Sequence, residues 1–74
     1  MPKPATLSPG ATGQQVKILQ RTLTLLGFSP GKADGDYGPS TQTAVEKFQL
    51  AHNLAEDGVV GPQTLAALRQ ALSG

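Results

Sequence analysis

The sequence has no cysteine, a single histidine and only three aromatic residues among its 74 positions. Without cysteine the chain can form neither a disulfide nor a thiolate metal site, which excludes the disulfide-rich secreted class of small domain. One histidine is too few for a zinc site in a chain that lacks cysteine. We therefore expect no metal site and no cofactor. With so few aromatic residues, any exposed ring becomes a candidate ligand contact.

Charged residues are also few, at 15% of the sequence, and neither sign is in large excess, since the net charge is +1. This balance predicts no strong attraction to nucleic acid or to an anionic membrane. The six lysines and arginines are scattered, with no basic recognition helix. No apolar run approaches the ~20 residues that a membrane-spanning helix needs. We expect neither nucleic acid nor a membrane as a partner.

The length predicts one small domain, near the lower limit at which a single hydrophobic core suffices, and we expect it to be a monomer. Residues 1–6 contain two prolines and no apolar segment of the kind found in secretory signals, which favours a disordered linker. The domain is then expected to comprise residues 7–74. We expect it to be part of a larger multidomain protein that delivers it to its site of action.

The sequence does contain one short motif that occurs twice, 23 positions apart. Residues 34–41, DGDYGPST, return as residues 57–64, DGVVGPQT. In each copy the second glycine falls at the N-cap of a predicted helix, and the proline follows at the first helical position, where a missing N–H costs nothing. The duplication is local and does not indicate a solenoid, which needs several stacked units.

The first helix is predicted over residues 13–26. Thr12 and Gln15 fit a capping box at its start. Ile18 and Leu25 are expected to widen its apolar stripe. The stripe itself follows helical spacing at Val16, Leu19, Leu23 and Leu26.

Both of the first two helices have stop signals of the same type. Gly27 suits the left-handed residue that ends a helix, and Phe28 follows where an apolar residue closes back onto the last turn. Asn53 and Leu54 are expected to do the same for the second helix.

The second helix is predicted to begin at Pro39 and the third at Pro62, ending near the C-terminus. No strand-like alternation of useful length appears, although Val59 and Val60 could pair briefly with a neighbouring segment. The fold class is therefore all-α, a compact three-helix bundle with two related Asp-Gly-x-x-Gly loops. The apolar face of the second helix is Thr41, Ala44, Val45 and Phe48, and that of the third is Leu65, Leu68 and Leu72. The expected core packs the stripe of the first helix on Val45, Phe48, Leu65 and Leu68.

The repeated residues suit turn chemistry. Asp34 and Asp57 are expected to fasten their loops by accepting backbone N–H bonds, since Asp favours such turns and the following Gly tolerates positive φ. Gln20 and Gln49 each follow a core position, so we expect half-buried amides bonded to loop backbone.

The two copies differ at the position before the N-cap. Val60 can form a hydrophobic staple with Leu65, whereas the equivalent pair in the first copy is Tyr37 and Gln42. Lacking an apolar partner, Tyr37 is expected to show a face to solvent. It could then contact a sugar or a peptide, with a lid over the core as the alternative.

Catalytic and metal chemistry find little support in these residues. The start Asp34-Gly35-Asp36 matches a calcium loop, but the later ligand positions of an EF-hand are occupied by Gly38 and Val45. No serine or cysteine nucleophile has a base at a recognisable spacing, and paired carboxylates occur only within turns. We therefore expect a binding module and not an enzyme, with no catalytic residues.

The sequence resembles the peptidoglycan-binding domain family, the three-helix modules attached to bacterial and phage cell-wall hydrolases. The resemblance extends from about residue 7 to residue 72 and is specific in the order and spacing of its elements. These are Gly10, Gly13, Val16, Leu19-Gln20, Leu23, Leu26-Gly27, the phrase from Asp34 to Gly38, Thr41, Ala44-Val45, Phe48-Gln49, Leu54, the phrase from Asp57 to Gly61, Thr64 and Leu68.

The resemblance implies a non-catalytic anchor that holds an attached hydrolase on peptidoglycan, outside the cytoplasm in the extracellular or periplasmic cell wall. The resemblance does not decide whether the glycan or the stem peptide is recognised. A small helical protein–protein interaction module is the alternative. Carried over residue by residue, the implied ligand-binding residues are Asp34, Gly35, Tyr37, Gly38 and Thr41, with the second loop as a weaker candidate.

Overall fold

The computed structural model of the chain describes residues 7–73. The linker predicted at residues 1–6 lies outside the described residues. Three helices follow one another: α1 (Gln14–Leu25), α2 (Pro39–Ala51) and α3 (Pro62–Ser73). Between residues 7 and 73 extended pairing is limited to two isolated bridges, and no helix is long and apolar enough to cross a membrane.

Helix α1 begins one residue later than predicted, and the predicted capping box is wrong. Its N-cap is Gly13, which has φ 115° and receives no side-chain cap bond. Thr12 instead forms an extended backbone bridge with Asp36. The chain has to turn sharply between that bridge and the helix, and only glycine adopts this positive φ without strain. The Thr12 hydroxyl is therefore one residue too early to cap the helix.

The predicted helix stops are confirmed. Gly27 and Asn53 have φ 92° and 59°, the left-handed conformation. The residues after them, Phe28 and Leu54, each donate their N–H to the carbonyl five residues earlier, at 2.8 Å in both cases. This is the Schellman pattern, in which the last orphan carbonyls of a helix gain donors.

Most of the predicted core is confirmed, but Leu26 and Leu65 are only partly buried and the apolar stripe is narrower than expected. Ile18 and Leu25 are 48% and 77% exposed, and Leu72 at the end of α3 is 52% exposed. At about 100° per residue, Ile18 and Leu25 point away from the buried face of α1. The buried apolar residues are Val16, Leu19, Leu23, Tyr37, Ala44, Val45, Phe48, Val60 and Leu68.

The segment before α1 connects the two repeated loops. Leu7 and Val60 exchange two backbone hydrogen bonds of 3.1 and 2.7 Å, which confirms the brief pairing predicted at Val60. Gly10 donates its N–H to the Tyr37 carbonyl at 2.9 Å, and Tyr37 donates to the Ala11 carbonyl at 3.0 Å. Tyr37 and Val60 are equivalent positions of the repeat, so the same extended segment fastens both loops.

Candidate functional site

The first loop is organised around the amide of Gln20, which is 1% exposed. Its Oε1 accepts the Gly35 N–H at 2.8 Å. Its Nε2 lies within hydrogen-bonding distance of three acceptors, which are Asp34 Oδ1 at 3.1 Å, the Asp36 carbonyl at 2.9 Å and Thr41 Oγ1 at 3.0 Å. A buried amide is tolerated because each of its polar atoms has a partner. Gln20 therefore ties α1 to the loop and to the start of α2.

The second loop repeats this arrangement around Gln49, also 1% exposed. Its Oε1 accepts the Gly58 N–H at 3.0 Å. Its Nε2 faces Asp57 Oδ1 at 2.9 Å, the Val59 carbonyl at 2.9 Å and Thr64 Oγ1 at 3.1 Å. The structural role expected for the two glutamines is thus confirmed, with deeper burial than the half-burial predicted. The residues shared by the two copies are those that build this bend.

The aspartates fasten their loops as predicted. Asp34 Oδ1 accepts the Asp36 N–H, and Asp57 Oδ1 accepts the Val59 N–H, each at 3.0 Å. These backbone hydrogen bonds are the main reason that the pKa of each carboxyl lies below its ordinary value, and the glutamine amides lower the pKa further. Both donors stabilise the ionised form.

Acid should therefore weaken the fold through these two loops. A carboxyl whose pKa is lower in the folded state contributes stability above its unfolded pKa, near 3.8, and that stability is lost as the pH falls through the lower folded pKa. Urea unfolding between pH 7 and pH 2 should show a fall in the free energy of unfolding below about pH 4. The double variant Asp34→Asn, Asp57→Asn keeps an acceptor oxygen but does not titrate, so its fall should be shallower. Equal slopes for both proteins would contradict this assignment.

Tyr37 is not exposed, and the expectation of a solvent-facing ring is wrong. The residue is 3% exposed, and its hydroxyl donates to the Gly58 carbonyl at 2.6 Å. Burial raises the pKa of Tyr37 to about 12. The missing staple partner at Gln42 does not decide its position, because the ring reaches across to the other copy of the loop. Tyr37 covers the core as a lid, which is the alternative to a solvent-facing ligand contact given by the sequence.

A cleft of about 320 Å³ opens beside the first loop and the start of α2. We call it the first cleft. Three of the five predicted site residues line it: Asp34, Gly38 and Thr41. Thr41 is only 2% exposed, and Gly35 and Tyr37 are buried and do not line the cleft. The remaining lining residues are Gln20, Pro30, Gly31, Lys32, Asp36, Pro39 and Ser40.

A second cleft, of about 440 Å³, opens beside the second loop and the start of α3. Each of its eight lining residues stands 23 positions after a residue of the first cleft, so the two clefts are built from equivalent positions. They differ in charge, since the charged Lys32 and Asp36 of the first cleft are replaced by the apolar Ala55 and Val59 in the second. Lys32 and Asp36 line the first cleft but are not among the site residues expected from the sequence. A position-by-position comparison of the two copies, at the sites where they differ, would have found them.

Comparison with known proteins agrees with this architecture. Residues 12–68 match the family described as "Putative peptidoglycan binding domain". The chain belongs to the peptidoglycan-binding domain family. The family is described by binding, in agreement with the expectation of a binding module. The predicted all-α fold of three helices is confirmed.

Members of this family occur within much longer proteins. The chain is 41% identical over 70 residues to a zinc D-Ala-D-Ala carboxypeptidase of Streptomyces albus G, covering 88% of the chain and 26% of the carboxypeptidase. It is 42% identical over 71 residues to an N-acetylmuramoyl-L-alanine amidase of Bacillus licheniformis, covering 88% of the chain and 20% of the amidase. The crystal structure of an L,D-transpeptidase from Xylanimonas cellulosilytica superposes with a TM-score of 0.89 and 52% identity, covering 96% of the chain and 35% of that structure. The chain thus spans only a minor part of the length of each of these proteins.

Proposed function

We propose that the domain is a non-catalytic module that anchors an attached protein, a cell-wall hydrolase, to bacterial peptidoglycan. The observation that carries the proposal is the family match over residues 12–68, joined to the open cleft beside the first loop. From residue 7 to residue 73 no group of three side chains able to hold a metal ion is found. The cleft would serve as a surface for the ligand to bind, and catalysis would belong to the attached domain.

The first cleft is the proposed ligand face. Asp34 and Gly38 line the cleft. Thr41 also lines it, and its hydroxyl accepts a hydrogen bond from the buried Gln20 amide. A shallow cleft on so small a domain supports only modest affinity. Repetition of the ligand along an insoluble polymer, together with the tether to a second domain, raises retention through effective concentration.

The attached protein and the location are inferred from the relatives. The similar amidase and carboxypeptidase are named for bonds to N-acetylmuramic acid and D-alanine. A parent protein of the same kind would place the domain in the cell wall, outside the cytoplasm or in the periplasm. We propose a monomeric module within such a protein.

A protein-docking module is the second candidate, favoured by one observation. An apolar groove of about 240 Å³ lies between α1 and α3. It includes Ile18 and Leu72, which are about half exposed. Docking of a soluble protein on this groove would not require the first cleft, so the two candidates are separable by variants in the cleft.

Sedimentation with purified, insoluble peptidoglycan tests the proposal. The 74-residue chain should pellet with the polymer. Ser40→Trp should reduce the bound fraction at least about ten-fold, because the bulky ring would fill the first cleft and exclude the ligand. Gln63→Trp, at the equivalent position of the second cleft, is the matched control and should pellet like the parent. A parent chain that stays in the supernatant would overturn the anchoring function, and loss only in Gln63→Trp would move the ligand face to the second cleft.

A further inference from the structure

We propose that the first cleft selects the peptide part of peptidoglycan, as a short peptide that carries both a free amine and a free carboxylate. Asp36 would contact the amine and Lys32 the carboxylate. This inference rests on the proposed function and specifies the ligand chemistry of the same cleft. Neither residue is among those that the family resemblance implies.

The two clefts provide an internal comparison. Residues that are identical in both copies, such as Asp34 and Asp57, accept the hydrogen bonds that shape each loop. The charged side chains at positions that differ between the copies, Lys32 and Asp36, take no part in these hydrogen bonds. Lys32 and Asp36 line the first cleft and are exposed, while the second copy builds the same bend with alanine and valine in their places. Since the bend does not need these two charges, they are available to a ligand.

The backbone at Asp36 is held by several hydrogen bonds, so its side chain projects from a fixed point at the edge of the cleft. The Asp36 N–H donates to Asp34 Oδ1 at 3.0 Å, and its carbonyl accepts from Gln20 Nε2 at 2.9 Å and from the Gly38 N–H at 3.0 Å. Both bonds to the Asp34 side chain end on Oδ1, which leaves Oδ2 of that exposed carboxylate for a ligand. A charge on a preorganised backbone loses little entropy on binding.

The aromatic residues argue against sugar stacking at this cleft. Tyr37 and Phe48 are 3% and 0% exposed. Phe28 packs edge-on against Phe48 with ring centroids 5.6 Å apart, and the described residues that line the first cleft include no aromatic side chain. A glycan would therefore meet no ring face there, whereas a cation and two carboxylates in one cleft complement a zwitterionic peptide.

The test is an NMR titration of the chain with three soluble probes. They are an N-terminally blocked stem peptide ending in a diamino acid, the same peptide acetylated also on its side-chain amine, and a peptide-free strand of N-acetylglucosamine and N-acetylmuramic acid. The unmodified peptide should bind with shift changes at the amides of residues 31–41. Asp36→Val and Lys32→Ala, which install the residues of the second cleft, should each raise the dissociation constant about two- to five-fold, as for partly exposed charge pairs.

Acetylation of the peptide should cause the same loss as Asp36→Val, and the two changes together should be no worse than either alone, because they remove the same contact. Asp36→Asn preserves the side-chain size and should behave like Asp36→Val. Lys47→Ala, an exposed lysine on α2 outside both clefts, is the control and should leave binding unchanged. Raising the salt concentration to about 0.5 M should weaken binding of the unmodified peptide.

Binding of the glycan strand in preference to the peptide, or additive losses from acetylation and Asp36→Val, would overturn this inference and leave the anchoring function intact. A parent chain that binds neither the soluble probes nor insoluble peptidoglycan would overturn the anchoring function itself.

Discussion

Replacement of Gln49 by leucine is expected to lower the free energy of unfolding by about 3–5 kcal/mol, a large part of the stability of so small a domain. Leucine fills a similar volume but offers no polar atom. The Gly58 N–H and the Thr64 hydroxyl would then lose their amide partner in the interior, where each unsatisfied group costs about 1–3 kcal/mol. The carbonyl of Val59 and the exposed carboxylate of Asp57 can turn to water and add less.

Urea unfolding followed by circular dichroism measures this effect. Gln20→Leu removes the equivalent amide from the first loop and should be destabilised by a similar amount. Gln14→Leu, at an exposed position in the first turn of α1, is the control and should stay within about 0.5 kcal/mol of the parent. Parent-like stability for both Gln49→Leu and Gln20→Leu would mean that the duplicated amides do not hold the loops.

Tyr37→Ala is expected to cost about 3–5 kcal/mol, the usual range for truncation of a buried aromatic residue. A solvent-facing ring, as the sequence pattern predicted, would cost far less on truncation. Tyr37→Phe isolates the hydroxyl. It should cost about 1–3 kcal/mol, since the Gly58 carbonyl would be left without its donor.

The Tyr37→Phe variant also tests where the ligand binds. Tyr37→Phe, measured at a temperature where it stays folded, should sediment with peptidoglycan like the parent, because the ring does not line the first cleft. Thermal unfolding gives the stability of both variants, and an NMR spectrum with dispersed amide signals confirms the fold of Tyr37→Phe. A folded Tyr37→Phe that loses binding would return this residue to the ligand face.

The features that sequence analysis predicted correctly depend on neighbours in the chain. Helical spacing placed Val16, Leu19 and Leu23 in the core, and the prolines at the first positions of α2 and α3 marked their starts. Gly27 and Asn53 marked the helix ends, because a left-handed residue is needed there whatever the rest of the fold does. The same locality explains the aspartate turns, in which donor and acceptor are two residues apart.

The errors concern groups whose environment is set by distant parts of the chain. Ile18 and Leu25 are apolar, but only packing of the other helices decides how wide the buried face of α1 becomes. Thr12 has the chemistry of a cap, yet its backbone pairs with Asp36, and Gly13 takes the cap position.

The sequence alone determined the repeat, the helix ends and the membership of a family of small helical binding domains, since each is a matter of residue type and spacing. Only the tertiary structure decided that the phenol bonds to a carbonyl 21 residues away and that each glutamine amide joins a helix to its loop. It also decided that an open cleft forms beside each copy of the repeated loop. These contacts join segments far apart in the chain, so the free energy that selects them arises only when the helices pack.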